Sequence, residues 1–88
     1  MKKRTHQLDP QRAMLVTFTA TFAQAASNLA TAVNRFDPNN KRKLVETLGI
    51  LFGLVQLIAI VAEIDEATLQ AETMKYLENV NEGNPLNN

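Results

Sequence analysis

The sequence predicts an all-α protein, an antiparallel helical hairpin with a shorter third helix packed as an elongated, oligomeric three-helix bundle, on three observations. Apolar residues recur at steps of three and four instead of alternating. Only three glycines and three prolines punctuate 88 residues. The stretches between them are rich in alanine and leucine, both strong helix formers. A chain of this length is one domain at most and buries only roughly 60 to 65% of its unfolded surface. Domain organisation is therefore a single helical unit over residues 1–80 with a flexible C-terminal tail at 81–88, where Gly83, Pro85 and several asparagines end the pattern.

The first helix is expected over residues 10–36. Asp9-Pro10 reads as an N-cap followed by proline at the first helical position, where the missing N–H costs nothing. Leu15, Phe18, Phe22, Ala25, Leu29, Ala32 and Phe36 form a seam in strict 3-4 alternation. The opposite face is Thr17, Thr21, Gln24, Asn28, Thr31 and Arg35. Residues 13–34 hold no charge, which is unusual for a surface helix and suits burial beside other helices. Asp37-Pro38-Asn39-Asn40 then reverses the chain, because the residue before proline avoids the α region and asparagine accepts turn conformations.

The second helix is expected over 41–63. Between Thr47 and Ala62 its only strongly polar side chain is Gln56. A narrow stripe of Glu46, Gly49, Gly53, Gln56, Ile60 and Glu63 recurs at 3-4 spacing, and Gly49-x-x-x-Gly53 is expected to let the first helix lie close. In the expected core, Phe18, Phe22, Leu29 and Phe36 meet Leu48, Leu51, Phe52, Val55 and Ile58, each fully buried large side chain contributing about 1.5 to 3 kcal/mol. Gln56, an amide among apolar neighbours, needs a partner and would fix helix register or pair across a two-fold axis. Asp65 is placed to cap a third helix over 66–80, with Ile64 and Leu69 positioned for a hydrophobic staple. A continuous, kinked helix across 63–66 is the competing reading.

Composition removes most chemistry. Nine Lys plus Arg balance nine Asp plus Glu, there is no cysteine, and His6 is the one histidine. A disulfide framework, a thiolate zinc site and any multi-imidazole site are thereby excluded. Glu63, Asp65 and Glu66 diverge around a helix axis and suit capping and dipole roles. Met14, Met74, Leu77 and Val80 read as packing surface. No catalytic residue, cofactor or metal is expected, and no enzymatic activity. Basic clusters at 2–4 and 41–43 suit phosphate or lipid headgroups but are too small for specific nucleic-acid binding. With no tryptophan and a single tyrosine, Tyr76, there is no stacking platform for bases.

Charge is sorted along the chain. Residues 1–45 carry eight Lys plus Arg against two Asp, and residues 46–88 carry one Lys against seven acidic groups. If three helices run up, down and up, Lys2, Lys3, Arg4 and Arg12 meet Glu63, Asp65 and Glu66, while Arg35 and Lys41 to Lys43 approach Glu78 and Glu82. The same sorting favours self-association with opposed ends.

Two solvents suit the second helix. Over residues 44–62 its mean hydropathy is roughly 2.2, above the level that flags a membrane span. Its uncharged core of sixteen residues, however, reaches only about 24 Å where a bilayer needs about 30 Å. The amino-terminal basic and apolar stretches also contain diluted elements of a secretory signal, interrupted by Asp9-Pro10 and by threonines, and read as a retained helix. The sequence thus leads to a cytoplasmic, non-enzymatic interaction protein that forms a homo-oligomer or binds a protein partner through Phe18, Phe22, Leu29, Phe36, Leu48, Gly49, Phe52, Gly53, Val55 and Gln56. The alternative is a small inner- or plasma-membrane protein with residues 44–62 spanning the bilayer, in a layout similar to pore-forming or lysis-accessory proteins.

Overall fold

The computed structural model describes residues 9–81. The expected basic cluster at 2–4, His6, Glu82 and the C-terminal tail beyond 81 lie outside the described residues. Three helices are present, α1 over Pro10–Asn34, α2 over Arg42–Val61 and α3 over Glu66–Asn81, with no strand among the described residues. The all-α class and the hairpin of α1 and α2 are as the sequence predicts.

Local chemistry explains each boundary. The Asp9 side chain accepts a hydrogen bond from the Arg12 N–H at 2.7 Å, satisfying one of the donors that a helix start leaves open. In the turn, the Asn39 N–H donates to Asp37 Oδ1 at 3.0 Å and the Asn40 N–H to the Asp37 carbonyl at 2.9 Å. This side-chain turn nested in a backbone turn reverses the chain within a few residues. α2 ends in a paired motif: Glu63 N–H donates to the Ile60 carbonyl and Ile64 N–H to the Ala59 carbonyl. Glu63 stands at φ 60, the left-handed conformation this motif requires. That conformation separates α2 from α3, so the continuous-helix reading does not hold. Asp65 then caps α3, accepting the Thr68 N–H at 2.8 Å.

The hairpin buries the α1 seam. Ala25 and Ala32 are buried, Leu15, Phe18, Phe22 and Leu29 are half-buried, and Phe36 at the turn is exposed. The face of threonines and amides is exposed throughout. From α2, Thr47 and Leu54 are buried, flanked by half-buried Leu44, Leu51, Val55, Ile58 and Val61. Thr47 retains its hydrogen bond by donating to the Lys43 carbonyl at 2.9 Å. At the open end, Gln11 Nε2 donates to the Val61 carbonyl at 2.8 Å, fastening the start of α1 to the end of α2.

Two expectations about packing are corrected. Gly49 and Gly53 do not bring α1 close, because a Cβ built on either would meet nothing within 4 Å. The stripe facing α1 is Thr47, Leu51, Leu54, Ile58 and Val61, and a displacement of two residues along a helix is a rotation of about 200°. Gly49, Gly53, Gln56 and Phe52 therefore lie away from α1, and Leu48 is on the flank, half exposed. Close approach is provided instead by Ala25 and Ala32. The second correction concerns α3, which packs along neither helix of the hairpin and has no buried residue. It projects from the open end, and the longest dimension of 58 Å exceeds the about 37 Å length of α1 for that reason. Glu78 therefore does not return to Arg35 and Lys41 to Lys43. The one ion pair among the described residues is Lys75 to Glu72 at 3.2 Å, within α3.

Three outcomes follow from this architecture. Leu54→Ala removes the largest side chain buried in the hairpin and should cost about 2 to 4 kcal/mol in chemical denaturation. Glu63→Gly relieves a left-handed residue that carries a Cβ and should stabilise the α2–α3 junction by about 1 kcal/mol, measured the same way. The Asp65 carboxyl is held below its ordinary value of 3.8 by hydrogen bonds from the Thr68 hydroxyl and N–H. A depressed carboxyl stabilises the helix above its unfolded value and loses that contribution as pH falls through the folded one. Helical chemical shifts over 66–70 should therefore fade below pH about 3.8, and Asp65→Asn, which still caps, should remove that component of the pH dependence.

Candidate functional site

The most distinctive surface is the face of α2 turned away from α1. Around the helix, Val45, Gly49, Phe52, Gln56 and Ile60 share it, and Ile60, Phe52 and Val45 are 69%, 67% and 62% exposed. Large apolar side chains scattered singly on a surface need no explanation, but a contiguous exposed face marks an interaction site or a membrane contact. α2 is apolar on every side because its composition from Thr47 to Ala62 offers no polar face to turn outward. α1 covers one side only. The apolar window of α2 has a mean hydropathy of 2.3 and only 11% of it is buried within the chain.

Beside this face, α2 and the start of α3 enclose a groove of about 420 Å³. Its walls are Phe52, Val55, Gln56, Ala59 and Ile60 from α2, Ile64 from the junction, and Glu66, Leu69, Gln70 and Thr73 from α3. The groove exists because the left-handed Glu63 turns the chain without folding α3 back on α2. Ile64 and Leu69, the expected staple pair, both line it. The Gln56 side chain is exposed and lines the groove.

At the turn end of the hairpin lies a second, polar depression lined by Arg35, Asp37, Asn40, Arg42, Lys43 and Glu46. Its cations alternate with carboxylates and none forms an ion pair with a described residue. Between the two ends runs the length of α2, about 30 Å for twenty residues. The basic end and the acidic end at Glu63, Asp65 and Glu66 are thus several Debye lengths apart at physiological salt. Neither can neutralise the other within one chain.

The expected interaction residues fall into two groups. Phe18, Phe22, Leu29 and Val55 pack in the hairpin, with Val55 also reaching the groove. Gly49, Phe52, Gly53 and Gln56 gather on or beside the outer face of α2, while Phe36 and Leu48 stay half exposed near the turn and on the flank. The sequence places Ile60 on one stripe with Gly49, Gly53 and Gln56 but turns that stripe toward α1, and it gives no sign of Val45 as an outer-face residue or of the α3 wall of the groove. Leu69 and Thr73, four residues apart and so on one helix face, are the available signal for that wall. No group of three His, Cys, Asp or Glu positioned to hold a metal occurs among the described residues. Compared with known proteins, the chain matches no family model, and no curated protein and no solved structure matches it.

Proposed function

We propose that this chain is a non-enzymatic helical interaction protein whose activity is assembly in the cytoplasm, through the outer face of α2 and the groove beside it. The observation that carries the reading is the apolar helix α2, packed on one side only among the described residues. Fully burying one large aliphatic or aromatic side chain contributes about 1.5 to 3 kcal/mol. Covering Val45, Phe52 and Ile60 together is a driving force large enough to select a partner. The neutral face of threonines and amides on α1 remains for water, which keeps one side of the hairpin soluble while the other associates.

A second reading rests on the same helix. α2 is twenty residues long and its 18-residue apolar window has a mean hydropathy of 2.3, enough by length and composition to cross a bilayer. Lys41, Arg42 and Lys43 before it and Glu63, Asp65 and Glu66 after it would orient the amino end toward the cytoplasm. Function would then lie in membrane permeability. α1, with Gln24, Asn28 and Asn34 along its length, passes no such test and would lie in the interface or against α2.

Detergent-free expression, ultracentrifugal fractionation and light scattering on the supernatant separate the two. A discrete soluble dimer or larger oligomer is the expected result. Recovery only in the pellet, resistant to alkaline carbonate and released by mild detergent, establishes the membrane reading instead.

A further inference from the structure

We propose that the occupant of the α2 outer face is a second copy of this chain, lying antiparallel about a two-fold axis between Phe52 and Gly53. The α2–α3 groove of each copy then receives the basic turn end of the other. This inference rests on the self-association reading and specifies its geometry.

Charge chooses the orientation. One end of α2 carries Lys41, Arg42 and Lys43, with Arg35 beside them, and the other carries Glu63, Asp65 and Glu66. A parallel pair would set like charges together at both ends. An antiparallel pair sets opposite charges together twice, and such complementarity fixes register and rejects wrong partners more than it adds affinity. The ends of one α2 lie about 30 Å apart, and against Asp37 and Glu46 at the basic end and Arg12 at the acidic end each keeps an excess of its own sign, which an antiparallel second chain complements.

Shape chooses the register. With the axis between Phe52 and Gly53, Phe52 lies over Gly53 of the second copy and Gln56 beside its Gly49. Val45 runs against Ile60 of the second copy, and Arg42 reaches its Glu63. Large side chains thus oppose glycines at the centre, where backbones come closest. Both glycines sit in a helix interior with open space beside them, a position that gains nothing from glycine within the single chain. In this register the second copy's Leu48 flanks the groove, and its turn lies along the start of α3. That supplies α3 with the packing its own hairpin does not give.

The chain holds no cysteine, so single-cysteine variants report the arrangement cleanly. Full-length chains carrying Val45→Cys and Ile60→Cys are mixed and mildly oxidised. The antiparallel pair gives the mixed disulfide, while Val45→Cys alone gives little; efficient cross-linking of Val45→Cys to itself would show a parallel pair and overturn the arrangement. Gly53→Leu should raise the dissociation constant at least about 100-fold by light scattering and dilution, with helicity unchanged because the new side chain meets open space in the monomer. Lys41→Glu with Arg42→Glu and Lys43→Glu should weaken the dimer similarly, as should Glu63→Lys with Glu66→Lys, and mixing the two variants should restore it. A dimer unaffected by Gly53→Leu and by both charge variants overturns the proposed interface. An unaltered chain that stays monomeric at every concentration overturns the self-association reading itself, independently of register.

Discussion

Helix α2 cannot present a polar side to water, because sixteen consecutive residues from Thr47 to Ala62 contain no charge and only two strongly or moderately polar side chains, Thr47 and Gln56. Thr47 is spent inside the hairpin, where its hydroxyl bonds back to the Lys43 carbonyl. That constraint governs the rest. α1 must supply a seam, and does so with alanines at the two points of closest approach. The turn must be short, and Asp37 and Asn39 make it so. What α1 cannot reach is left open, and the face left open is still largely apolar, with Gln56 its one strongly polar side chain.

The three helices and the α1 seam were legible because each rests on a local or periodic signal. Asp9 and Asp65 announce caps, and the 3-4 alternation from Leu15 to Ala32 has one apolar face, so only one side can turn inward. α2 gave no such direction. On an all-apolar helix the stripe of Thr47, Leu51, Leu54 and Ile58 and the stripe of Gly49, Gly53 and Gln56 are equally plausible from spacing alone. Fit against α1 decides between them, and the larger side chains fill the space beside Ala25 and Ala32 where glycines would leave voids.

The junction at Glu63 was illegible for a different reason. The left-handed position that ends a helix usually announces itself as glycine, and here it is occupied by a residue with a Cβ. Charge sorting was visible in the sequence, but its resolution within one chain, with α3 returning to the basic turn, required a bundle that α3 has too little apolar surface to join. The same sorting, read across chains, is what the proposed second copy would satisfy.

The compact turn between α1 and α2 sets an order of events in time. A hairpin whose helices are joined by the seven residues 35–41 makes local contacts and belongs to the class that folds within microseconds to milliseconds. Meeting another molecule is slower: at micromolar concentration and ordinary association constants of about 10⁵ to 10⁷ per molar per second, encounters take roughly 0.1 to 10 seconds. Each newly made chain is therefore finished as a hairpin long before it meets another molecule. For that interval the apolar helix is open to whatever it meets first, and under the proposed self-association synthesis in clusters, where copies are concentrated, would favour a second copy over adventitious contacts.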